Sequence, residues 1–430
     1  MNPGRESASD IEAVFDRLWP LPRSLTGPGV RASLDILSEL HPLERLEVPS
    51  GIRVFDWTVP DEWRVASAYL VAPDGRRVAD FQDNNLHLVG YSRPFRGRMA
   101  LAELQAHLHS LPDRPTAIPY RTSYYEPRWG FCLADSQRRT LPEGEYEVVV
   151  DTELKPGSLT IGEAVLRGET DAEILLSTYV CHPSLANNEL SGPLALAFLM
   201  RRLAARPRRR LSYRFVFLPE TIVSIAYLSL RGDHLKRRCR GGYVVTCCGD
   251  AGAFTYKRSR RGDVASDRVV RRVLGGKPHE IIPFRPDEAS DERIYNSPGF
   301  ELPIGSLMRT MYGRYPEYHT SLDDKSVISF PALQETVDVL EAAVDRFEAR
   351  RCFRPGAGPE PQLGRRGLYP SGPDAWPQIS RQYWLLHYAD GEHDIEDIAE
   401  MSGHSASDLR STLESLISAG LIRPVAGAGE

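Results

Sequence analysis

The stretch that decides the fold is YVCHPSLANNELSG, residues 179–192. The apolar run Ile174–Val180 leads into it, and its short length and aliphatic, β-branched composition predict a buried strand. A helix-start signal, Ser191-Gly192-Pro193, follows and leads into the apolar segment Leu194–Met200. A strand that delivers His, Asn and Glu to a loop before a helix is a good position for a metal or a substrate. For this segment alone, a polar loop around a buried, hydrogen-bonded histidine is an equally good interpretation.

The bulk composition is that of a soluble globular protein. The chain has 430 residues, of which 41% are hydrophobic and 26% charged, and this length predicts two or three domains. A net charge of −5 gives no case for bulk attraction to nucleic acid or membranes. No apolar run reaches the ~18 residues of a membrane span, and Met1–Asp10 lacks the apolar core of a signal peptide. Six scattered cysteines suit no disulfide framework, so we expect a reduced, cytoplasmic protein without a membrane partner.

From about Leu159 onward, strand, loop and helix patterns alternate. The strand candidates are Ile174–Cys181, Tyr213–Leu218, Tyr243–Cys248 and Leu302–Leu307. The helix candidates are Leu194–Ala205, Ile222–Leu230 and Phe330–Arg350. This alternation predicts an α/β fold with a mainly parallel sheet flanked by helices. Two helical patterns between Ile11 and Leu40 have no strands of their own, so we place them on the same sheet.

The segment from Val54 to Thr152 has a different sequence pattern, in which short strands of alternating polarity are separated by Gly, Pro and Asp. It predicts a small β-rich domain with one helix-like piece, Met99–His109. The aromatic stretch Tyr120–Phe131 is typical of a domain core, with a substrate wall as the alternative. If this domain overhangs the crevice, it restricts substrates to small or N-terminal groups. We therefore predict a discontinuous α/β domain (residues 1–53 and 153–354), an inserted domain (54–152) and a C-terminal domain (362–430).

The C-terminal domain follows a Pro/Gly-rich linker, residues 355–361. Helix patterns at Tyr383–Tyr388, Ile395–Met401 and Ala406–Leu421, followed by a strand from Ile422, predict a winged helix. DNA binding is the familiar use of this motif, but residues 361–430 hold five Arg and ten Asp or Glu, a net charge of −5. That is the wrong sign for a phosphate backbone. We therefore expect an interaction or dimerisation module through which the protein could form a homo-oligomer. We expect no nucleic-acid partner.

Four polar residues come just after strands of the predicted sheet: His182, Glu220, Asp250 and His319. The carboxyl ends of the strands form the ligand crevice of an open α/β sheet. Two imidazoles and two or three carboxylates that converge there suit Zn²⁺, which both groups bind at ~2.0–2.2 Å. The remaining carboxylate is placed to accept a proton from the attacking water.

Several motifs carry a family resemblance. The run His319-Thr320-Ser321-Leu322-Asp323 resembles the closing His-Thr-x-x-Asp of co-catalytic zinc aminopeptidases with the phosphorylase/hydrolase-like fold. The loop Ala186–Gly192 is similar to their Ala-Asn-Asp-x-x-Ser-Gly loop. Phe217–Glu220 falls where they carry a Glu-Glu pair, and Ser290–Arg293 is similar to their Ser-Asp-His segment.

The whole chain most resembles a bacterial aminopeptidase-like family with an inserted β domain and a C-terminal winged helix. The most specific signatures are CHPS (181–184), PETI (219–222) and YHTS (318–321). The resemblance implies a peptidase-type zinc hydrolase, in a biosynthetic setting such as surface polysaccharide or specialised metabolite assembly.

Three positions depart from the aminopeptidase pattern. Asn188 stands where an aspartate bridges two metals, and a neutral amide is a much poorer bridge between two cations. Thr246 matches the position of an expected aspartate, with Asp250 four residues later. The Glu-Glu pair is replaced by Pro219-Glu220-Thr221, so one glutamate serves as base or as ligand. A single zinc is therefore the main expectation, and two zinc ions are the alternative.

The resemblance and the strand-end positions together give the residue roles. His182, His319 and a carboxylate from Glu189 or Glu220 would hold the zinc, with Asp250 as a further metal candidate. Glu220 would otherwise be the base.

The remaining candidates concern protons and substrate. Asp291 would orient a proton relay or hold a substrate amine. Arg309, Tyr315 and Tyr318 are candidates for binding a substrate carboxylate or oxyanion, because arginine binds carboxylates in a bidentate manner. A strand-end salt bridge is an equal alternative for Arg309.

Two functions are compatible with these residues. The first is zinc-dependent hydrolysis of an amide or peptide bond in a small amino-acid-like or short peptide substrate. The second is a catalytically weakened protein whose crevice binds a ligand while the winged helix recruits a partner.

Overall fold

The computed structural model describes residues 6–372 and 375–425. The N-terminal part contributes two helices and one strand: α1 (Ala8–Leu18), α2 (Pro28–Ser38) and β1 (Glu44–Pro49). Helix α1 begins with a capping box, in which the Ser7 and Asp10 side chains each accept the other residue's backbone N–H. Its buried face consists of Ile11, Phe15 and Leu18, at the spacing of an amphipathic helix.

The segment between β1 and the main sheet is rich in strands. Its elements are β2 (Arg53–Val54), β3 (Trp57–Thr58), β4 (Glu62–Val71), β5 (Arg77–Asp80), β6 (Phe95–Ala100), α3 (Leu101–Leu104), β7 (Leu108–His109), β8 (Phe131–Cys132), α4 (Asp135–Arg138) and β9 (Glu145–Lys155). Four of them form an antiparallel sheet in the order β5-β4-β9-β6. The predicted helix Met99–His109 is wrong at both ends. Met99 and Ala100 pair with β9, and only one helical turn follows before a 3₁₀ turn and β7.

The main sheet uses most of the elements that follow. They are β10 (Ser158–Leu166), β11 (Glu173–Tyr179), α5 (Ser191–Ala204), β12 (Ser212–Leu218), α6 (Ile222–Arg238), β13 (Cys239–Val245), β14 (Phe254–Lys257), α7 (Ala265–Leu274), β15 (His279–Ile282), α8 (Asp291–Tyr295), β16 (Ile304–Met308) and α9 (Phe330–Ala349). The strand order is β1-β10-β12-β11-β13-β16-β14-β15. The four central strands, β12, β11, β13 and β16, are mutually parallel, as the strand–helix alternation predicts.

Both faces of this sheet are covered. Ile174 and Leu176 of β11 belong to a core shared with α1, α2, α5, α7 and α9, whereas Leu175 belongs to a core shared with α6, α8 and the inserted sheet. Successive residues of a strand point to opposite faces, so a central strand buried on both sides has a continuous apolar sequence. The N-terminal helices therefore pack on the main sheet, as expected. They also bring an unpredicted edge strand, β1, which pairs with β10.

The C-terminal part is a winged helix. It consists of β17 (Phe353–Pro355), α10 (Ala375–Tyr388), α11 (Ile395–Ser402), α12 (Ala406–Ser418) and β18 (Ile422–Pro424), with β17 and β18 paired antiparallel. The first strand of the winged helix, β17, thus begins two residues before the predicted linker, residues 355–361. Within the described ranges, no helix combines the length and the apolar character that a membrane crossing needs.

The winged helix docks on the α/β domain through a buried ion cluster. Asp397 of α11 accepts hydrogen bonds from Arg350 (2.7 Å), Arg268 (3.0 Å) and Arg272 (2.6 Å). The Asp397 side chain is fully buried, and Arg268 is 2% exposed. Burial alone would raise the pKa of Asp397, but Arg350 and Arg268 hold it well below its ordinary value.

Candidate active site

The site lies where the parallel strands end. His182 follows β11 and Glu220 follows β12, so both reach the carboxyl edge of the sheet. His319 arrives from the long segment between β16 and α9, and its ring centroid lies 5.3 Å from that of His182. The structure therefore brings together three residues that are far apart in sequence. These two imidazoles are the candidate nitrogen ligands that the structure brings side by side.

His182 is held by a buried carboxylate. Its Nδ1 donates to Glu189 Oε2 at 2.7 Å, and Glu189 Oε1 accepts the backbone N–H of Cys181. Arg23, also fully buried, places Nε 3.7 Å from Glu189 and donates to the His182 carbonyl at 3.0 Å. This arrangement leaves His182 Nε2 directed at the crevice, 3.8 Å from Glu220 Oε2. A carboxylate on one ring nitrogen with the other left free is how a metal-binding histidine is commonly oriented.

The two imidazoles differ in their electrostatic surroundings. Burial and the nearby charge of His182 lower the pKa of His319 to about 3, so His319 is a neutral nitrogen donor. Burial alone would lower the pKa of His182, but the Cys181 thiol and Glu189 raise it well above its ordinary value. The negative surroundings that stabilise a proton on His182 also stabilise a metal cation there. Tyr318 stacks on His319 with ring centroids 3.9 Å apart and helps to fix its plane.

Glu220 and Asp291 form a pair of neighbouring carboxyl groups. The Ser290 hydroxyl donates to Glu220 Oε1, and the Glu220 backbone N–H donates to Cys181 Sγ at 3.3 Å. Asp291 is completely buried; its Oδ1 accepts the Thr221 N–H at 2.9 Å, and its Oδ2 has no partner among the described residues. Burial and the charge of Glu220 raise the pKa of Asp291 to about 8. A carboxyl group with this pKa keeps its proton at neutral pH.

The loop after β11 is a π-helical turn, Ala186–Leu190. Asp323 accepts the backbone N–H groups of Asn187 (2.7 Å) and Asn188 (2.9 Å), which ties this loop to the segment that carries His319. The amide of Asn188 donates to the Tyr179 hydroxyl at 2.8 Å, while its Oδ1 is buried and has no partner in the described part of the chain. An amide oxygen, not a carboxylate, therefore occupies the position that departs from the aminopeptidase pattern.

Two predicted site residues, Asp250 and Arg309, have their polar atoms engaged away from the histidines. Asp250 accepts from the Thr310 N–H (3.1 Å) and hydroxyl (2.8 Å) and from the Asn187 amide (2.9 Å). Arg309 donates to Glu335 and to two carbonyls, and its guanidinium lies over the Phe254 ring. That geometry matches the salt-bridge alternative.

Glu189 is engaged with His182 Nδ1, as described above. Its assignment as a metal ligand, like that of Asp250, stays a prediction that this geometry does not favour. The Tyr315 hydroxyl donates to Asp323 Oδ2 at 3.1 Å, so Tyr315 supports the loops beneath the histidines.

The sequence interpretation did not single out Tyr120 within the stretch Tyr120–Phe131, for which it preferred a domain core to a substrate wall. Its ring centroid lies 5.0 Å from that of His182 and 5.2 Å from that of His319, and its N–H donates to the His319 carbonyl at 2.9 Å. The segment around it also pairs with the histidine segment at Pro119 and Thr320. Tyr120 belongs to the aromatic stretch that is typical of a domain core, and nothing in its local sequence separates it from its aromatic neighbours. The inserted domain thus forms the cover of the crevice.

The chemistry of these side chains fits a zinc ion. Zinc binds imidazole nitrogen and carboxylate oxygen, and His182 lies next to both His319 and Glu220, which offer these two groups. The buried Asn188 Oδ1 is a further oxygen without a hydrogen-bond donor in the described ranges. Cys181, His182 and Glu189 also cluster within 4.8 Å, but His182 Nδ1 and Glu189 already bond to each other there. The free side of His182 is therefore the better metal position.

Comparison with known proteins agrees with this fold. Residues 12–350 match the family described as "Domain of unknown function (DUF4910)". The chain belongs to the DUF4910 family. Residues 351–424 match a winged helix-turn-helix family, which confirms the C-terminal prediction.

Two similar proteins come from Clostridium acetobutylicum. One, provisionally described as a polysaccharide biosynthesis protein with an aminopeptidase-like domain, is 41% identical over 427 residues, which are 98% of this chain and 97% of that protein. A crystal structure of a provisionally described peptidase is 40% identical, with a TM-score of 0.81 over 97% of this chain and 96% of that one.

The DUF4910 chain also has the fold of zinc aminopeptidases. The Bacillus subtilis zinc aminopeptidase BSAP is 14% identical, with a TM-score of 0.56 over 81% of this chain and 96% of that enzyme. An aminopeptidase from Aneurinibacillus sp. strain AM-1 is 13% identical, with a TM-score of 0.50. At this identity the likeness shows the fold alone. The resemblance to an aminopeptidase-like family and the α/β class are confirmed.

Proposed function

We propose that this protein is a zinc-dependent hydrolase that cleaves an amide or peptide bond in a small amino-acid-like or short peptide substrate. The observation that carries the proposal is the convergence of His182, His319 and Glu220, with His182 Nε2 left free by the bond from Nδ1 to Glu189. His182 and His319 would hold the zinc. When bound, zinc supplies Lewis acidity, which polarises a carbonyl group and makes water more acidic.

Glu220 is the proposed proton acceptor. The hydroxyl of Ser290 holds one carboxylate oxygen, so the other is presented toward His182 and the crevice. Glu220 then gives this proton to the leaving amine, and Asp291, completely buried beside it with its own proton, orients the relay. General acid–base groups of this kind contribute about 10²–10⁴-fold to a rate.

Tyr120 and Tyr318 shape the crevice. Their rings contact the histidines, exclude water from the site and limit the size of the group that can enter. This restriction supports a small or terminal group as the substrate. The description of the Clostridium acetobutylicum relative supports a biosynthetic role over a digestive one.

The test combines metal analysis with one isosteric variant. Protein purified without added metal should contain about one zinc per chain and should hydrolyse aminoacyl amides. Glu220→Gln should keep the zinc and lose at least about 100-fold in turnover, because the amide cannot accept the proton. Glu288→Gln, on the exposed loop before Ser290, is the matched control and should keep full activity.

Three outcomes would change the assignment. Loss of zinc in Glu220→Gln would make Glu220 a ligand. Full activity in that variant would remove it from the mechanism. Less than about half an equivalent of zinc, with no hydrolysis after zinc is restored, would favour the second function, a ligand-binding protein.

That second function has one specific observation in its favour. Glu189 and Asp250 are bonded within the protein, and Asn188 presents an amide where aminopeptidases of the resembled type carry a bridging aspartate. A site with fewer carboxylates holds fewer cations. A catalytically weakened protein that binds a ligand in the crevice and recruits a partner through the winged helix is therefore the alternative proposal.

A further inference from the structure

Two exposed aromatic rings form a platform on the inserted domain. Tyr125 is 57% exposed and Trp57 is 38% exposed, and their ring centroids lie 5.4 Å apart at an angle of 54°. Large aromatic side chains usually bury most of their area, so an exposed, contacting pair indicates a binding surface. Trp57 stands on the short hairpin β2–β3 and Tyr125 on the loop that also carries Tyr120. We call Trp57 and Tyr125 the aromatic platform.

The aromatic platform is continuous with the candidate active site. Tyr125 contacts Tyr124, with ring centroids 6.5 Å apart, and the Tyr124 hydroxyl lies 3.0 Å from that of Tyr120. Tyr120 in turn contacts both histidines. The hairpin also packs against α6, the helix that begins two residues after Glu220. A substrate whose reacting bond lies at the histidines would reach the aromatic platform by extending along this row of rings.

Charged side chains surround the platform. Asp56 precedes Trp57 and pairs with Arg53, whereas Glu126 follows Tyr125 and pairs with Arg128. All four side chains are more than half exposed, and Phe55 of the same hairpin is 52% exposed, so the rings lie on an open surface of mixed character and not in an apolar pocket. An apolar peptide side chain gains the most binding free energy in a closed pocket that removes it from water. A pyranose ring has the complementary chemistry, since its C–H face packs on aromatic rings while its hydroxyl groups bond to charged side chains at the rim.

We propose that the aromatic platform is a sugar-binding subsite, and that the substrate carries a pyranose ring distal to the bond at the histidines. The proposal deepens the hydrolase function and rests on it for the direction of the substrate. Binding at the platform itself requires neither zinc nor turnover. The two ideas can therefore be tested separately.

The experiment is saturation-transfer NMR on the full chain with defined probes. The probes are the methyl glycosides of glucose, galactose, mannose and N-acetylglucosamine, their β-linked disaccharides, and the dipeptide amide Gly-Phe-NH₂. The variants are Trp57→Ala and Tyr125→Ala, with Trp57→Phe as the conservative replacement. Trp376→Ala is the matched control, because Trp376 is 70% exposed on α10 of the winged helix. Circular dichroism checks that each variant is folded.

The expected result is saturation transfer to the ring protons of at least one sugar. Trp57→Ala and Tyr125→Ala should each weaken that affinity about tenfold, since each removes one stacking ring. Trp57→Phe should retain most of the binding, and Trp376→Ala should retain all of it. Transfer to none of the sugars, equal transfer in the platform variants, or transfer only to Gly-Phe-NH₂ would each overturn the proposal.

A final arm separates this proposal from the hydrolase function. Sugar binding that persists in Glu220→Gln and after chelation, in a protein without hydrolytic activity, would support the subsite while the hydrolase proposal fails. Hydrolysis of aminoacyl amides with no sugar binding would overturn the subsite while the hydrolase proposal stands.

Discussion

His182 depends on Glu189 for its orientation, and Glu189 depends on Arg23 for a compensating charge. All three are buried, so the ring of His182 can turn only if this chain of contacts breaks. Partners on the far side of a metal-binding histidine typically change metal affinity 10–100-fold when they are mutated. The same dependence is expected here, although Glu189 itself faces away from the open side of the ring.

We predict that Glu189→Gln weakens zinc binding about 10–100-fold, because a neutral amide polarises the imidazole less than a carboxylate does. Competition with a chromophoric chelator measures the affinity. Unchanged affinity would show that His182 is oriented by other contacts. Thermal unfolding should accompany the measurement, because Arg23 loses the carboxylate near its charge.

Asp250→Asn provides a contrasting prediction. Asp250 accepts hydrogen bonds from Thr310, Gly252 and Asn187, and an amide has one acceptor oxygen in place of two. We expect unfolding free energy to fall by ~1–3 kcal/mol and zinc stoichiometry to stay the same. Urea denaturation and metal analysis check the two parts. Loss of zinc in this variant would restore Asp250 as a metal ligand.

The loop that carries Tyr120 is the element that joins the inserted domain to the site. Tyr120→Ala should lower unfolding free energy by ~2 kcal/mol, since the half-buried ring contacts two imidazoles, and should raise KM for small substrates. Tyr120→Phe keeps the ring and loses only the hydroxyl contact with Tyr124, so it is the control. Urea denaturation and steady-state kinetics provide the measurements. Equal KM values for both variants would contradict a role of the ring in closing the crevice.

The central strands and helices are predictable because their sequence patterns are long and unambiguous. β11, β12 and α9 lie within about two residues of their predicted bounds, since a strand buried on both faces is a continuous apolar run. β10 is not evident from the sequence, because Ser158, Thr160 and the pair Gly162-Glu163 interrupt its apolar residues. The helix predicted at Met99–His109 is wrong because strand pairing with β9 overrides helix propensity.

The site is predictable only in part. Residues that directly follow a strand, such as His182 and Glu220, have positions fixed by the sheet, and the sequence identifies them. Tyr120 comes from a different layer, and its place depends on how the inserted domain packs. The orientation of a side chain is equally hidden from sequence, since Glu189 bonds to the far side of His182. Long-range packing decides both.

At the scale of the whole molecule, Asp397 fastens the winged helix to the α/β domain. Its pKa is lowered in the folded state, so its stabilising effect is fully present above the unfolded pKa of about 3.9 and is lost as pH falls below that value. We therefore predict that acidification below about pH 4 releases the winged helix before the main sheet unfolds. Fluorescence of Trp384, together with limited proteolysis of the linker, follows the release.

Two variants of the same helix test this prediction at neutral pH. Asp397→Asn should destabilise the docked state by ~3–5 kcal/mol, because three arginines lose a buried anion. Glu400→Gln removes only the ion pairs of the half-exposed Glu400 side chain with Arg271 and Arg272 and should cost less than ~1 kcal/mol. Similar losses of docking free energy in both variants would show that the docking does not depend on the buried cluster.

The pairing of β1 with β10 has a consequence for how this architecture can change. Pro49 and Ser158 lie opposite each other in the sheet, and the Ser50 N–H donates to the Gly157 carbonyl at 2.9 Å. The chain therefore enters and leaves the inserted domain at adjacent positions of the main sheet. A domain inserted in this way can be replaced without changing the order of the strands that carry His182 and Glu220. The sheet that carries the candidate site and the domain that covers it can in this sense change independently.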